Sequence, residues 1–259
     1  MPGGGLRASH HDRSRLPGGV YRDAGGTQEN VNSRLRRRFA QTPLGRQVFH
    51  FEAAIERAVA EFAAGLRAGA RVLDAGAGEG QYAHYFDRCR YMGIDMAVGD
   101  PAWDYSRLQT IGDLAALPFA GGSFDAAINI VTLEHVPEPG RVLQEIARSL
   151  SAGGTLLLVV PHQWEVHQEP HDYFRFTRHG IRRLLEEAGF SQINIEPVGG
   201  LFRLLSRRLL NALQLFPALV FPVAAVFLAP PALILPVFDF LDRTRSFTLG
   251  YICTASKSS

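Results

Sequence analysis

The chain's most concentrated chemical signal is an acid followed by three alternating glycines, Asp74-Ala75-Gly76-Ala77-Gly78-Glu79-Gly80. The run from Arg71 to Leu73 reads as the end of a buried strand, and Gln81 to Phe86 as the start of a helix. Glycine at 76, 78 and 80 removes Cβ atoms where the backbone must bend and a ligand must lie against it. The related G-x-G-x-x-G turn brings a pyrophosphate to a helix N-terminus. Here the spacing is G-x-G-x-G, and the carboxylate of Asp74 would repel a pyrophosphate. It can instead accept hydrogen bonds from a cationic amino-acid group. This favours S-adenosylmethionine over a nicotinamide dinucleotide.

Further polar landmarks follow at intervals. Asp95 closes the apolar run Tyr91-Met92-Gly93-Ile94, where an acid at a strand tip can bind both hydroxyls of a ribose. Asp113 precedes Leu114 in Gly112-Asp113-Leu114-Ala115-Ala116-Leu117-Pro118-Phe119. A buried strand, Phe124 to Val131, carries Asn129 and leads into Leu133-Glu134-His135-Val136. In these four landmarks, over about 45–200 and again at 248–256, the chain resembles the class I S-adenosylmethionine-dependent methyltransferases. The resemblance is to the group with an acid-x-G-x-G-x-G loop and an "EHV" ending after strand four. It implies an α/β, Rossmann-like sheet of seven strands, six parallel plus an antiparallel strand seven. It also implies that Asp74, Gly76, Gly78 and Gly80 contact the methionine portion and Asp95 the ribose. Asp113 and Leu114 would border the adenine, and Asn129 and Glu134 would line the methyl-donor side.

The elements that must hold these residues read as alternating strands and helices, which predicts a parallel sheet covered on both faces. Strands are expected at 71–74, 91–94, 125–130 and 154–160, with a helix over 140–150 stopped by Ser151-Ala152-Gly153-Gly154. One helix is expected from Thr42 to about Leu66, where Phe51, Ile55, Val59 and Phe62 recur at helical spacing. Open parallel sheets bind ligands beyond the C-terminal ends of their strands, and Asp74, Asp95 and Glu134 fall at or near such ends. The segment Pro161 to Thr177 is dense in histidine, acids and aromatics and reads as the substrate loop. Trp164, His167, Asp172, Tyr173 and Arg175 are its candidate substrate-binding residues. His135, His162 and His171 are candidate general bases, because histidine titrates near neutrality. His162, His167, Glu169 and His171 offer metal-binding side chains, but methyl transfer from a sulfonium needs no metal and none is expected.

Composition adds a second theme. The net charge is +2, yet residues 1–38 hold eight arginines against three acids and few large apolar residues, which predicts a disordered basic tail over 1–40. Cys89 and Cys253 read as free thiols of a reducing compartment. The sequence has no signal-peptide pattern, so the expectation is a cytoplasmic protein. After the core at 41–200, Arg208 and Asp239 enclose 30 residues without charge. They have the length and apolarity of a membrane span, but five prolines interrupt them. The final core strand at 248–259 must also return to the sheet. A helical hairpin over 201–247, bent near Pro230-Pro231, satisfies both constraints. It would be re-entrant or interfacial at the cytoplasmic face of a membrane, its flanking arginines reaching anionic head groups.

The function expected is methyl transfer to a small or lipid-linked acceptor at a membrane surface. Two other readings stand beside it: a non-catalytic cofactor-binding membrane adaptor, and a soluble metabolite methyltransferase whose hairpin is a lid or dimer interface. No nucleic-acid partner is expected, since no Asn/Asp-Pro-Pro-aromatic motif follows strand four.

Overall fold

The computed structural model describes residues 42–99 and 103–258; the tail expected over 1–40 lies outside them. Seven strands form one sheet: β1 (Arg71–Ala75), β2 (Arg90–Asp95), β3 (Thr110–Ile111), β4 (Phe124–Ile130), β5 (Leu150–Pro161), β6 (Phe190–Val198) and β7 (Gly250–Lys257). Their order is β3-β2-β1-β4-β5-β7-β6, and β7 runs antiparallel to both neighbours. The six parallel strands and single reversed strand are those expected.

Period-two alternation decides which layer each side chain enters. Ala126, Ile128 and Ile130 of β4 join Val72, Leu157 and Val159 on one face. That face is covered by α2 (His50–Gly65), which follows the short α1 (Pro43–Val48), with Phe51, Ile55 and Val59 of α2 buried. Ala127, Leu73, Leu156 and Leu158 turn to the other face. There α3 (Pro139–Ser149) supplies Val142, Leu143 and Ile146, and α4 (Arg178–Glu187) supplies Ile181 and Leu185. Each fully buried side chain of this size contributes about 1.5–3 kcal/mol, so the two layers carry the fold.

Four local expectations need correction. The helix expected over 42–66 is two helices, broken at Phe49 (φ −98°, ψ 48°). After the glycines there is only a 3-10 turn, Ala83–Phe86. A parallel crossover needs about a dozen residues, and the glycine loop takes the first part of this short connection. Residues 151–154 belong to β5. Phe124 pairs with Leu150 and the ladder resumes at Ala126 with Thr155, so the two glycines form an irregularity in the strand.

The fourth correction concerns the apolar insertion. It consists of α5 (Leu201–Ala212), a 3-10 turn (Leu213–Leu215), α6 (Phe221–Ile234) and a 3-10 extension (Leu235–Leu241). The reversal lies between Leu215 and Phe221, and Pro230 and Pro231 are inside α6. Phe216 is extended (φ −95°, ψ 130°), the conformation that a following proline imposes. Pro217 therefore breaks the chain where two central prolines do not. Asp239 pins the two legs together: it accepts the Gly200 and Arg203 amides at 3.1 Å each and pairs with Arg203 and Arg245. β6 and β7 remain hydrogen-bonded across its base, from Phe190–Lys257 to Val198–Gly250.

Candidate active site

The glycine loop is fastened to the end of β2. The amides of Gly76 and Ala77 both donate to the Ile94 carbonyl, at 2.8 and 3.1 Å. Gly78 N–H donates to one oxygen of Asp95 at 3.0 Å, and Ala97 N–H to the other at 2.9 Å. Gly76 has φ +92°, and a Cβ there would lie 2.2 Å from Thr132 Cγ2. Thr132 in turn donates to the Gly76 carbonyl at 3.2 Å. The residue before it, Val131, has φ 51°, an outlier for a β-branched side chain. Strained backbone of this kind concentrates at functional sites. Thr132 and Val131 escaped the sequence reading, although their place directly after β4 was a usable signal.

Asp74 lies inside β1 rather than at its tip, pairing with Gly93 and Ile128. It is 1% exposed, and Tyr91 Oη donates to it at 2.5 Å. Burial pushes its carboxyl up to about 7, against the opposing effect of the tyrosine hydrogen bond. The Asp74 carboxyl is thus engaged by Tyr91 beneath the loop. Asp113 is exposed and uses one oxygen to accept the Ala115 amide at 2.8 Å. Leu114 sends its side chain into the core, which leaves its backbone for any contact with a base. Asn129 is fully buried; its Nδ2 donates to the Ala75 carbonyl at 2.6 Å while Oδ1 has no partner among the described residues.

Glu134 is fully buried, and among the described residues neither carboxyl oxygen finds a hydrogen-bond donor. Burial raises its pKa to about 8. Its backbone carbonyl accepts the amides of Tyr173 and Phe174, at 2.9 and 3.3 Å, so the loop after β5 folds back over the turn after β4. His135 points Nδ1 at the His171 carbonyl, 2.6 Å away. Burial lowers its pKa, which favours the neutral ring. His162 contacts the Phe176 carbonyl at 2.8 Å, and His171 the Tyr173 hydroxyl at 3.0 Å.

Within the loop, Asp172 and Arg175 are occupied with each other. Arg175 clamps Asp172 with contacts of 2.6 and 2.7 Å and donates to the carbonyls of Trp164, Glu165 and Phe174. The guanidinium holds the Asp172 carboxyl far below the usual carboxylate range. Both residues, expected among the substrate contacts, thus also hold the loop's shape. Trp164 packs against Phe51, with centroids 5.0 Å apart, and Arg207 lies 3.6 Å above its ring. It is part of the loop's footing. A shallow cavity of about 240 Å³ is lined by Trp164, Val166, Asp172, Tyr173, Phe174 and Arg175. A larger cavity of about 820 Å³ opens at the β6 edge, between α2 and the end of the hairpin, four strands from β1. Glu134, whose carbonyl accepts the Tyr173 and Phe174 amides, lies at the smaller one's end of the molecule.

The profile of a methyltransferase domain family matches residues 45–195. The chain belongs to this family. With its sheet order, it is a class I S-adenosylmethionine-dependent methyltransferase by descent. Over 105 residues it is 38% identical to the ubiquinone biosynthesis O-methyltransferase of Xanthomonas oryzae pv. oryzae, covering 35% of this chain and 43% of that one. Over 116 residues it is 31% identical to the tRNA (carboxymethyluridine(34)-5-O)-methyltransferase of Arabidopsis thaliana, covering 43% of this chain and 28% of that one. The methyltransferase thus spans less than half the length of these curated relatives. Among solved structures, the 1,6-didemethyltoxoflavin-N1-methyltransferase of Burkholderia thailandensis, with bound 1,6-didemethyltoxoflavin and S-adenosylhomocysteine, superimposes with a TM-score of 0.51 at 22% identity. The match covers 97% of this chain and 99% of that one, and it speaks for the shared fold.

The residues present fit the family's cofactor. The glycine loop offers bare backbone, Asp95 keeps acceptor capacity after its two amides, and Asn129 Oδ1 waits unpaired beside the loop.

Proposed function

We propose that this methyltransferase transfers the S-adenosylmethionine methyl group to a small, lipid-linked acceptor at a membrane surface. S-adenosylmethionine supplies, when bound, an electrophilic methyl carbon on a positively charged sulfur. Gly76, Gly78 and Gly80 hold the methionine portion, with Asp74 stiffening the strand beneath them. Asp95 is already oriented by Gly78 and Ala97 and accepts the two ribose hydroxyls with its remaining lone pairs. Asp113 and the Leu114 backbone border the adenine, and Asn129 and Glu134 line the side where the acceptor approaches. Alignment of the acceptor supplies most of the acceleration. For an oxygen or nitrogen acceptor, the departing proton goes to a histidine; His135, His162 and His171 remain the three candidates.

The observation that carries the membrane half of this reading is the stretch Phe221–Leu241. It is 21 residues long, with mean hydropathy 2.1 and only 17% of its most apolar window buried. Core helices of soluble proteins pass the first two criteria but not the third. Its base joins β6 and β7 beside Pro161, where the substrate loop begins. A lipid-borne acceptor entering along the hairpin therefore meets that loop first.

The test is transfer of label from methyl-labelled S-adenosylmethionine into a lipid extract by the intact protein. Label in the lipid fraction, lost in Asp95→Ala together with at least tenfold of the S-adenosylhomocysteine affinity, is the expected result. Turnover confined to water-soluble metabolites would overturn the lipid assignment. Unchanged affinity in Asp95→Ala would overturn the cofactor site.

A further inference from the structure

Glu134, His135 and His167 meet where the turn after β4 touches the loop after β5, and methyl transfer gives them no common task. One potential ligand atom from each lies within 4.8 Å of the other two. Glu134 Oε1 is 3.6 Å from His135 Nε2, and the two imidazole rings meet edge to face with centroids 4.7 Å apart. Both Glu134 oxygens and His135 Nε2 are buried without a hydrogen-bond partner among the described residues. A buried carboxylate held ionised costs several kcal/mol, and no hydrogen bond among the described residues offsets that cost. A cation between them would.

The outer sides of both rings are already engaged. His135 Nδ1 faces the His171 carbonyl at 2.6 Å. His167 Nδ1 faces the Glu165 carbonyl at 3.1 Å, with Asp172 Oδ2 3.5 Å away. Donation from Nδ1 fixes the tautomer and leaves the lone pair on Nε2, which is how metal-bound histidines are supported from behind. Asp172 is itself held by Arg175 and by the His167 amide at 2.8 Å, so the supporting groups are rigid. The positive charge of Arg175 is matched by Asp172 and does not face the cluster alone.

We propose that Glu134, His135 and His167 bind a divalent transition-metal ion of the zinc type, through two Nε2 atoms and one carboxylate oxygen. Two nitrogens and one oxygen suit zinc, whereas magnesium and calcium prefer oxygen throughout. Zinc bonds of about 2.0–2.2 Å place tetrahedral ligands roughly 3.3–3.5 Å apart, so a modest contraction of the cluster completes the site. Three protein ligands leave a fourth position for water or an acceptor oxygen. Only that last role rests on the proposed methyl transfer; metal binding does not.

The experiment is calorimetric titration of ZnCl2 into the untagged, chelator-treated full chain, with cobalt(II) absorption as a spectroscopic probe. The expected result is one equivalent bound and a visible four- or five-coordinate cobalt spectrum. Glu134→Gln and His167→Ala should each weaken zinc at least tenfold and abolish that spectrum. Circular dichroism verifies folding; should His167→Ala unfold, the isosteric Glu134→Gln decides. Absence of a stoichiometric wild-type site, or equal affinity and spectrum in the folded variants, overturns the proposal. S-adenosylhomocysteine titrated into the metal-free protein reports the cofactor cleft separately, so either reading can fail without the other.

Discussion

Asp74 shows how the same residue reads differently by type and by partner. Its position before the glycines reads as a contact to the cofactor's amino-acid portion, because the spacing of acid and glycines is local in sequence. What local sequence lacks is Tyr91, seventeen positions on and one strand across, whose hydroxyl turns an apparent ligand into a buried strut. Asp172 and Arg175 make the same point: nothing in their spacing announces that the guanidinium pairs with Asp172 and donates to loop carbonyls. Asp74 also makes a pH prediction. Burial raises its folded pKa to about 7 from 3.8, so the folded protein holds a proton that the unfolded chain has released. The stability associated with this group is therefore complete below about pH 4 and declines as pH rises toward 7, after which the loss is constant. Asp74→Asn removes the titration. Urea unfolding should find the variant gaining on the wild type between pH 5 and 8 by roughly 1–4 kcal/mol. Parallel pH profiles for the two proteins would contradict the assignment.

At the scale of elements, the strands were legible because alternating or continuous apolar runs bounded by turns admit few alternatives. The hairpin's bend was not. Five prolines compete to break one apolar segment, and the tertiary staples that hold its two legs together are absent from the local pattern. Chief among these is Asp239, 4% exposed, which gathers the Gly200 and Arg203 amides and two arginines at the hairpin's base. Breaking a fully buried charge pair costs about 3–5 kcal/mol. Arg203 and Arg245 keep side-chain exposures of 25% and 34%, so Asp239→Asn should cost less, roughly 1–3 kcal/mol after solvent screening. The loss should be local. Hydrogen exchange should accelerate over 201–241 while β1, β4 and β5 keep their protection. Uniform acceleration across the sheet would instead make the hairpin an integral part of the core.

For the whole molecule, the ion pairs change the membrane expectation itself. The flanking arginines looked free to reach anionic head groups. Four of them are instead committed: Arg203 and Arg245 to Asp239, Arg207 to Glu52 and Glu165, and Arg208 to Glu165 at 2.8 Å. The apolar side chains remain exposed, Leu219 at 91%, Phe227 at 72% and Phe240 at 67%. Each such side chain entering hydrocarbon contributes about 1.5–3 kcal/mol, whereas an unpaired arginine near anionic lipid contributes about 1 kcal/mol. Attachment should therefore be hydrophobic first. In liposome flotation, the intact protein should rise with neutral vesicles nearly as well as with anionic ones, and moderate salt should change little. A version lacking 209–238 should stay at the bottom while still binding S-adenosylhomocysteine. If flotation requires anionic lipid and collapses in salt, the arginine pairs open at the membrane and the first expectation is restored. If neither protein floats and the deletion turns a dimer into a monomer, the exposed face of α6 belongs to a second copy of the chain, and the acceptor should be sought among soluble metabolites.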